Sequence, residues 1–140
     1  MPDFAYLDER RMKAVFAAAE PTAETILRLA WQAGLRRQEI HALTWGQVDL
    51  MEWKLRLPDR TVPMDVELAM HLLPLSEGKA PADSVAASRR SGEALTPQTI
   101  SHLSRAALTA AGEEEISLAD LRNAYALRRL ADGEDWQSVS

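Results

Sequence analysis

The sequence predicts an α+β domain that is mainly helical and carries one small β-hairpin. Apolar residues recur at helical spacing along most of the chain, and only one short segment alternates between apolar and polar residues as a strand does. With 140 residues, of which 46% are hydrophobic, the chain is long enough to bury a core without metals or disulfides. We therefore expect residues 1–140 to form a single domain.

Three helices are predicted in the first third of the chain. Asp8 is a suitable N-cap for a helix whose apolar face comprises Met12, Val15, Phe16 and Ala19. A second helix is expected from about Thr22 to Ala33, and Gly34 is a suitable residue to end it. A short third helix is expected over Arg37–Leu43.

The middle of the chain contains the predicted hairpin. Trp53–Leu57 alternates as a strand, Pro58-Asp59 forms a turn, and Arg60–Met64 returns as its partner. The apolar spacing over Val66–Leu73 then indicates another helix.

A long loop and two further helices complete the predicted fold. Pro74–Leu95 is rich in small and turn-forming residues and lacks periodicity, so we expect a surface loop. Thr96 followed by Pro97 is typical of a helix start. Ser117 and Asp120 form a capping-box pattern at the start of a last helix, which we expect to end at Gly133.

Charge and composition exclude several classes of protein. The formal net charge of −5 arises in residues 61–140, because residues 1–60 carry equal numbers of acidic and basic groups. A dedicated nucleic-acid binder is usually basic, so any DNA contact would require a local positive patch. No apolar run approaches the length of a membrane helix, and neither a signal sequence nor a cysteine is present. We therefore expect a cytoplasmic protein that does not contact membranes.

No metal site or cofactor is predicted. The three histidines, His41, His71 and His102, lack the spacing of metal ligands. Glycine-rich phosphate loops and nucleophile-elbow motifs are also absent from the sequence.

Several ordered motifs resemble the tyrosine recombinase (phage integrase) family. Residues 34–45 read G-L-R-R-Q-E-I-H-A-L-T-W, which is similar to the family's G-L-R-x-x-E-[IL]-x-x-L-x-W. Residues 47–50 are similar to its Asp-containing turn, and residues 60–64 to the closing strand of its hairpin. Residues 88–97 resemble the loop before its next helix, and residues 117–122 its second arginine motif, H-x-L-R. The resemblance implies the fold of an integrase catalytic domain over nearly the whole chain.

The resemblance also implies a site for a DNA phosphate. In this family a tyrosine attacks the phosphate, and two arginines stabilise the charge that accumulates in the transition state. Arg36 and Arg122 match these two arginines. They are the candidate phosphate-binding or DNA-binding residues.

Other residues of the family's catalytic set are replaced. Ala119 stands where the histidine of H-x-L-R belongs, and alanine cannot transfer a proton. Asn123 replaces the histidine that usually follows the second arginine. The short turn at residues 57–60 removes the loop that should carry the hairpin lysine, and Lys54 precedes that turn. No complete catalytic set is therefore predicted.

The family comparison also concerns the two ends of the domain. The family's catalytic tyrosine would lie beyond Ser140, and neither Tyr6 nor Tyr125 matches its position. An N-terminal DNA-clamping domain is likewise not expected in residues 1–140. We expect an uncovered apolar surface near Trp136 and Val139, suited to self-association or to a partner helix.

These observations lead to one main hypothesis and two alternatives. The chain is predicted to be an inactive integrase-like domain with a DNA-associated accessory or regulatory role, and weak DNA binding is expected. It could instead be a fragment of an active recombinase, or a protein-interaction module that does not bind DNA. Arg36 also has a structural interpretation, as an ion-pair partner of Glu39 three residues later.

Overall fold

The computed structural model describes residues 8–131, which form helices around a small antiparallel sheet. The helices are α1 (Glu9–Ala18), α2 (Pro21–Ala33), α3 (Arg37–Ala42), α4 (Val66–Leu75), α5 (Pro97–Ala110) and α6 (Leu118–Ala131). The strands are β1 (Val48–Asp49), β2 (Lys54–Arg56) and β3 (Thr61–Pro63), and a 3-10 turn over Trp45–Gln47 precedes β1. No helix in the described part of the chain is long and apolar enough to cross a membrane.

The predicted starts of α1, α5 and α6 are confirmed by their capping hydrogen bonds. The Asp8 carboxylate accepts from the Arg11 amide at 2.9 Å at the start of α1, and the Thr96 hydroxyl accepts from the Thr99 amide at 3.1 Å at the start of α5. At α6 the predicted capping box forms in both directions between Ser117 and Asp120, at 2.9 and 3.2 Å. Local side chains thus satisfy amides that the first turns of these three helices leave free.

The sheet has three strands where the sequence predicted a hairpin of two. Leu55 of β2 pairs with Val62 of β3, as expected, and both side chains are buried. Val48–Asp49, which we expected to form a turn, also pairs with β2 and adds the outer strand. Two residues are too few to show an alternating pattern, so the sequence does not reveal this strand.

The segment between α4 and α5 is a loop, as predicted. Helix α4 runs two residues beyond the predicted Leu73, so that Pro74 lies in its last turn. Isolated bridges join Thr44 to Ser84 and Ala87 to Ala94, tying the loop to the body of the domain and to itself.

Helix α2 lies at the centre of the core. Ile26, Leu27, Leu29 and Ala30 are fully buried, and the helix packs against each of the other five helices. Trp45 lies in the same core, whereas Trp53, the residue before β2, is 40% exposed.

The contact between α2 and α6 is the most extensive contact between helices. The Arg128 guanidinium lies 3.7 Å from the centroid of the Trp31 ring and donates a hydrogen bond to the Trp31 carbonyl. One turn earlier on α6, the Tyr125 ring lies directly against Gly34. We call these two contacts the α2–α6 clamp.

Gly34→Ala should destabilise the fold by about 3 kcal/mol, because it combines backbone strain with a steric clash. Gly34 has a φ of +70°, and a Cβ atom there would lie 2.2 Å from Cδ1 of Tyr125. Urea denaturation measures the loss. Gly78→Ala is the matched control, because Gly78 has a φ of +75° but no atom within 4 Å of an added Cβ. Its loss should be about 1 kcal/mol, and equal losses in the two variants would show that the Tyr125 contact contributes nothing.

His71 of α4 is held in a polar network against α2. Its Nε2 lies 2.8 Å from the Thr25 hydroxyl, and its Nδ1 lies 3.4 Å from the Glu24 carboxylate. Burial lowers the pKa of His71 below 6.5; Glu24 opposes this shift and the positive charge of Arg28 adds to it. The folded protein therefore favours the neutral imidazole.

Stability should fall as the pH drops below about 6.5, because the unfolded chain then binds a proton that the folded chain resists. The His71→Gln variant should lose less stability than the parent between about pH 7.5 and about pH 5. Urea denaturation across this range measures both proteins, and acidic groups elsewhere contribute equally to the two. Parallel pH profiles would contradict the assignment to His71.

Candidate functional site

Arg36 occupies the N-cap position of α3, directly after the turn that ends α2. Its backbone is extended, and its amide donates to Oε1 of Glu39 at 2.9 Å. This bond is half of a capping box, in which a residue one turn into the helix satisfies the N-cap amide. The backbone of Arg36 is therefore fixed while its side chain remains exposed.

The Glu39 carboxylate forms its ion pair with Arg60 and not with the Arg36 guanidinium. Nη1 of Arg60 lies 2.5 Å from Oε2, and Nη2 lies 3.1 Å from Oε1, so the pair is bidentate. Within residues 8–131 the Arg36 guanidinium forms no ion pair, which corrects the structural interpretation of Arg36. The sequence does indicate which way the Arg60 side chain faces. Arg60 lies two residues before the buried Val62, and alternate residues of an extended segment face the same side.

Both members of this pair are largely buried, with side-chain exposures of 18% for Arg60 and 21% for Glu39. Burial alone would raise the pKa of Glu39, but hydrogen bonds from Arg60 and from the Arg36 amide lower it overall. The same pairing raises the pKa of Arg60. The pair is therefore fully ionised near neutral pH.

Arg122 lies in the second turn of α6 and faces the same cluster of charges. Burial lowers its pKa most; the positive charges of Arg36 and Arg60 lower it further, and Glu39 opposes them. Its Nε atom is buried and has no hydrogen-bond partner. Asp120, which could have paired with it, instead caps the start of α6.

Three guanidiniums and the Glu39 carboxylate from distant parts of the chain thus interact electrostatically. We call Arg36, Arg60, Arg122 and Glu39 the arginine cluster; its formal charge is +2. The exposed Asp59 carboxylate, 3.3 Å from Nη1 of Arg60, reduces the charge of this region to +1. A partly dehydrated group of this kind attracts an anion, because charges interact more strongly away from bulk water. The structure places the two sequence-predicted arginines near one another, and phosphate binding by them remains a prediction.

The positions that depart from the family pattern offer no histidine or lysine to this cluster. Ala119 is exposed and lines a cavity of about 430 Å³ between α5 and the start of α6. Asn123 is exposed on the next turn. Lys54 lies on β2 with its side chain on the opposite face of the strand from the buried Leu55.

The remaining predicted residues are either structural or outside the described part of the chain. Tyr125 packs against Gly34 within the α2–α6 clamp. Tyr6, Trp136 and Val139 lie outside residues 8–131, as does the predicted helix end at Gly133. Within the described residues, no group of three or more histidine, aspartate or glutamate side chains could hold a metal ion.

Comparison with known proteins identifies the family. The model of the Phage integrase family matches residues 5–140, and the chain belongs to this family of tyrosine recombinases. No curated protein matched the chain.

Solved structures show the same fold. XerA recombinase superposes with a TM-score of 0.81 at 26% identity, covering 99% of this chain and 55% of that one. The integrase from mycobacterium phage Brujita gives 0.73 at 19% identity, with coverages of 93% and 45%. The Tn1549 transposon integrase, in complex with a circular intermediate DNA, gives 0.76 at 10% identity, with coverages of 99% and 58%. The chain therefore spans about half the length of these proteins.

Phosphate or sulfate should raise the melting temperature, because an anion that binds only the folded state stabilises it by mass action. A rise of about 3 °C is expected at concentrations roughly tenfold above the Kd. Arg36→Ala and Arg122→Ala should each abolish the rise, measured by thermal denaturation against chloride of equal ionic strength. Arg56→Ala is the control, because Arg56 pairs with Asp49 on the other side of the sheet. If the Arg36 and Arg122 variants respond as the parent does, these arginines are structural.

Proposed function

We propose that this chain is a catalytically inactive integrase-like domain that binds DNA phosphates and has an accessory or regulatory role in recombination or integration. The observation that carries this proposal is the composition of the site. Arg36 and Arg122 lie together in a positively charged cluster, while Ala119 offers only a methyl group where the family has its histidine. The site therefore keeps the arginines that would bind an anion and lacks the histidine that would transfer a proton.

The positive charge of the cluster is local, and the protein as a whole is acidic. The net charge of −5 repels DNA at long range, but salt screens this repulsion beyond about 8 Å at physiological ionic strength. Close to the cluster, the local positive charge dominates. Binding of DNA should therefore be weak and sensitive to salt. We predict that the protein acts in the cytoplasm.

Strand cleavage needs proton transfer as well as charge stabilisation. A proton must leave the attacking hydroxyl, and another must reach the departing oxygen. The guanidiniums of Arg36 and Arg122 can stabilise the charged transition state, but an arginine stays protonated near neutral pH and cannot exchange protons usefully. Neither Ala119 nor Asn123 can serve as a general acid or base in place of histidine.

The test combines DNA binding with a search for covalent chemistry. The chain should bind a labelled DNA duplex in fluorescence anisotropy, and Arg36→Ala or Arg122→Ala should weaken binding by about tenfold. Arg56→Ala should have a smaller effect, because Arg56 lies outside the cluster. The parent should form no denaturation-resistant adduct with DNA. An adduct that is lost on replacing Tyr125 or Tyr6 would overturn the proposal, as would an absence of binding.

A chimera tests inactivity independently of the supply of a tyrosine. The domain can be joined to the tyrosine-bearing C-terminal segment of an active recombinase and given that enzyme's DNA site. We expect no cleavage, because proton transfer would still be missing. The same chimera with Ala119→His and a lysine in the turn at residues 57–60 should regain part of the activity. Cleavage by the unaltered chimera would favour a fragment of an active enzyme, an alternative consistent with the 55% coverage of XerA recombinase.

A protein-interaction module is the second alternative, and one surface of α4 favours it. Val66, Met70 and Leu73 recur at helical spacing and are each about half exposed. Exposed apolar stripes often mark contact surfaces. This alternative predicts that the anisotropy assay detects no DNA binding at any salt concentration.

A further inference from the structure

The arginine cluster contains its own potential competitor for phosphate. Glu39 is the one carboxylate among the charged groups that shift the pKa of Arg122. It also lies one helical turn after Arg36, a spacing at which side chains of opposite charge commonly pair. An internal carboxylate that interacts electrostatically with both guanidiniums could occupy the site that a phosphate needs.

We propose that Arg60 is a positioning residue that holds Glu39 away from Arg36 and Arg122 and so leaves their guanidiniums open to an external phosphate. This inference rests on the proposed phosphate site and adds the means by which that site is kept vacant. Arg60 touches the carboxylate, and the phosphate is bound by the other two arginines.

The hydrogen bonds around Glu39 support this role. Both carboxylate oxygens are engaged by Arg60, at 2.5 and 3.1 Å, and Oε1 also accepts the Arg36 amide at 2.9 Å. A bidentate pair fixes the plane of the carboxylate as well as its position. Glu39 is therefore directed towards the hairpin, and its bond to Arg36 is to the backbone alone.

Removal of Arg60 would leave a largely buried carboxylate without its counter-ion. Leaving one partner of such a pair uncompensated is strongly unfavourable, so the side chain should turn to the nearest cations. Besides Arg60, the cations that interact electrostatically with Glu39 are Arg36 and Arg122, and Nε of Arg122 has no hydrogen-bond partner. An intramolecular ligand acts at a high effective concentration, so it would compete well with dissolved phosphate.

Three variants separate this role from direct phosphate binding by Arg60. Arg60→Gln removes the counter-ion and leaves Glu39 charged. Glu39→Gln removes the competitor, and its amide oxygen can still accept the Arg36 amide, as glutamine does in capping boxes. The double variant combines both changes and keeps the formal cluster charge of the parent, because one positive and one negative charge are lost together. The four proteins form a double-mutant cycle.

The first measurement is the affinity for inorganic phosphate, by isothermal titration calorimetry at constant ionic strength. Arg60→Gln should bind about tenfold more weakly than the parent. The double variant should recover to within about threefold of the parent, because no carboxylate remains to compete. A double variant as weak as Arg60→Gln would overturn the proposal and make Arg60 a direct ligand. Arg56→Gln, which removes the same charge outside the cluster, should bind like the parent.

The second measurement needs no ligand and separates the proposed positioning from the proposed function. The Nε–H resonance of Arg122 in nuclear magnetic resonance spectra reports whether an anion has reached its guanidinium. In Arg60→Gln without phosphate, this resonance should move in the direction that phosphate moves it in the parent, and it should return in the double variant. An unmoved resonance refutes the positioning role. If the parent shows no response to phosphate, the proposed site fails, while an Arg60→Gln shift that depends on Glu39 still supports the positioning role.

Stability provides the last control. Melting curves establish that each variant is folded before its affinity is compared. If Arg60→Gln does not fold, Arg60→Lys replaces it, because lysine keeps the charge but cannot form the bidentate pair. Its Arg122 resonance should shift in the same direction to a smaller extent, and the absence of any shift would count against the proposal.

Discussion

Arg128 lies over the Trp31 ring and donates to the Trp31 carbonyl, and Tyr125 lies on Gly34 one turn earlier along α6. Side chains three residues apart lie on the same face of a helix. Arg122 is three residues before Tyr125, so it lies on the face of α6 that carries Tyr125 and Arg128. The chain on the other side runs in the opposite direction, from Trp31 through Gly34 to Arg36. The α2–α6 clamp therefore determines which residue of α6 lies near Arg36. A shift of α6 by one turn would leave the same helices packed but would separate the two arginines.

The electrostatics of the cluster follow from this packing. Like charges are brought together because the apolar contacts between helices, and not the charges themselves, determine where the side chains lie. Burial and the neighbouring arginines both lower the pKa of Arg122. The surroundings of its guanidinium therefore disfavour the positive charge. An anion bound at the proposed site would relieve that condition. The proposed anion binding and the unfavourable environment of Arg122 would therefore both result from the same helix packing.

The sequence predicts the helical part of this fold well, because capping residues and apolar spacing are local signals. Thr96 and the pairing of Ser117 with Asp120 identify helix starts that the structure reproduces. Strand β1 is missed because its two residues owe their conformation to β2. The site is predicted only in part for a similar reason. Motif spacing identifies Arg36 and Arg122, but the partner of Glu39 lies 21 residues away, directly before β3. Alternation with Val62 indicates which side Arg60 faces, but not which carboxylate it pairs with.

Gly34 also limits how the chain can be altered by protein engineering or by mutation. The position has a positive φ, which asparagine and aspartate tolerate better than other residues with side chains. Neither would be accepted here, because the Tyr125 ring occupies the place of any Cβ atom. Enlarging the space by shortening Tyr125 would relieve the clash but not the backbone requirement. Two independent demands therefore favour glycine at this position: the positive φ and the close approach of the Tyr125 ring.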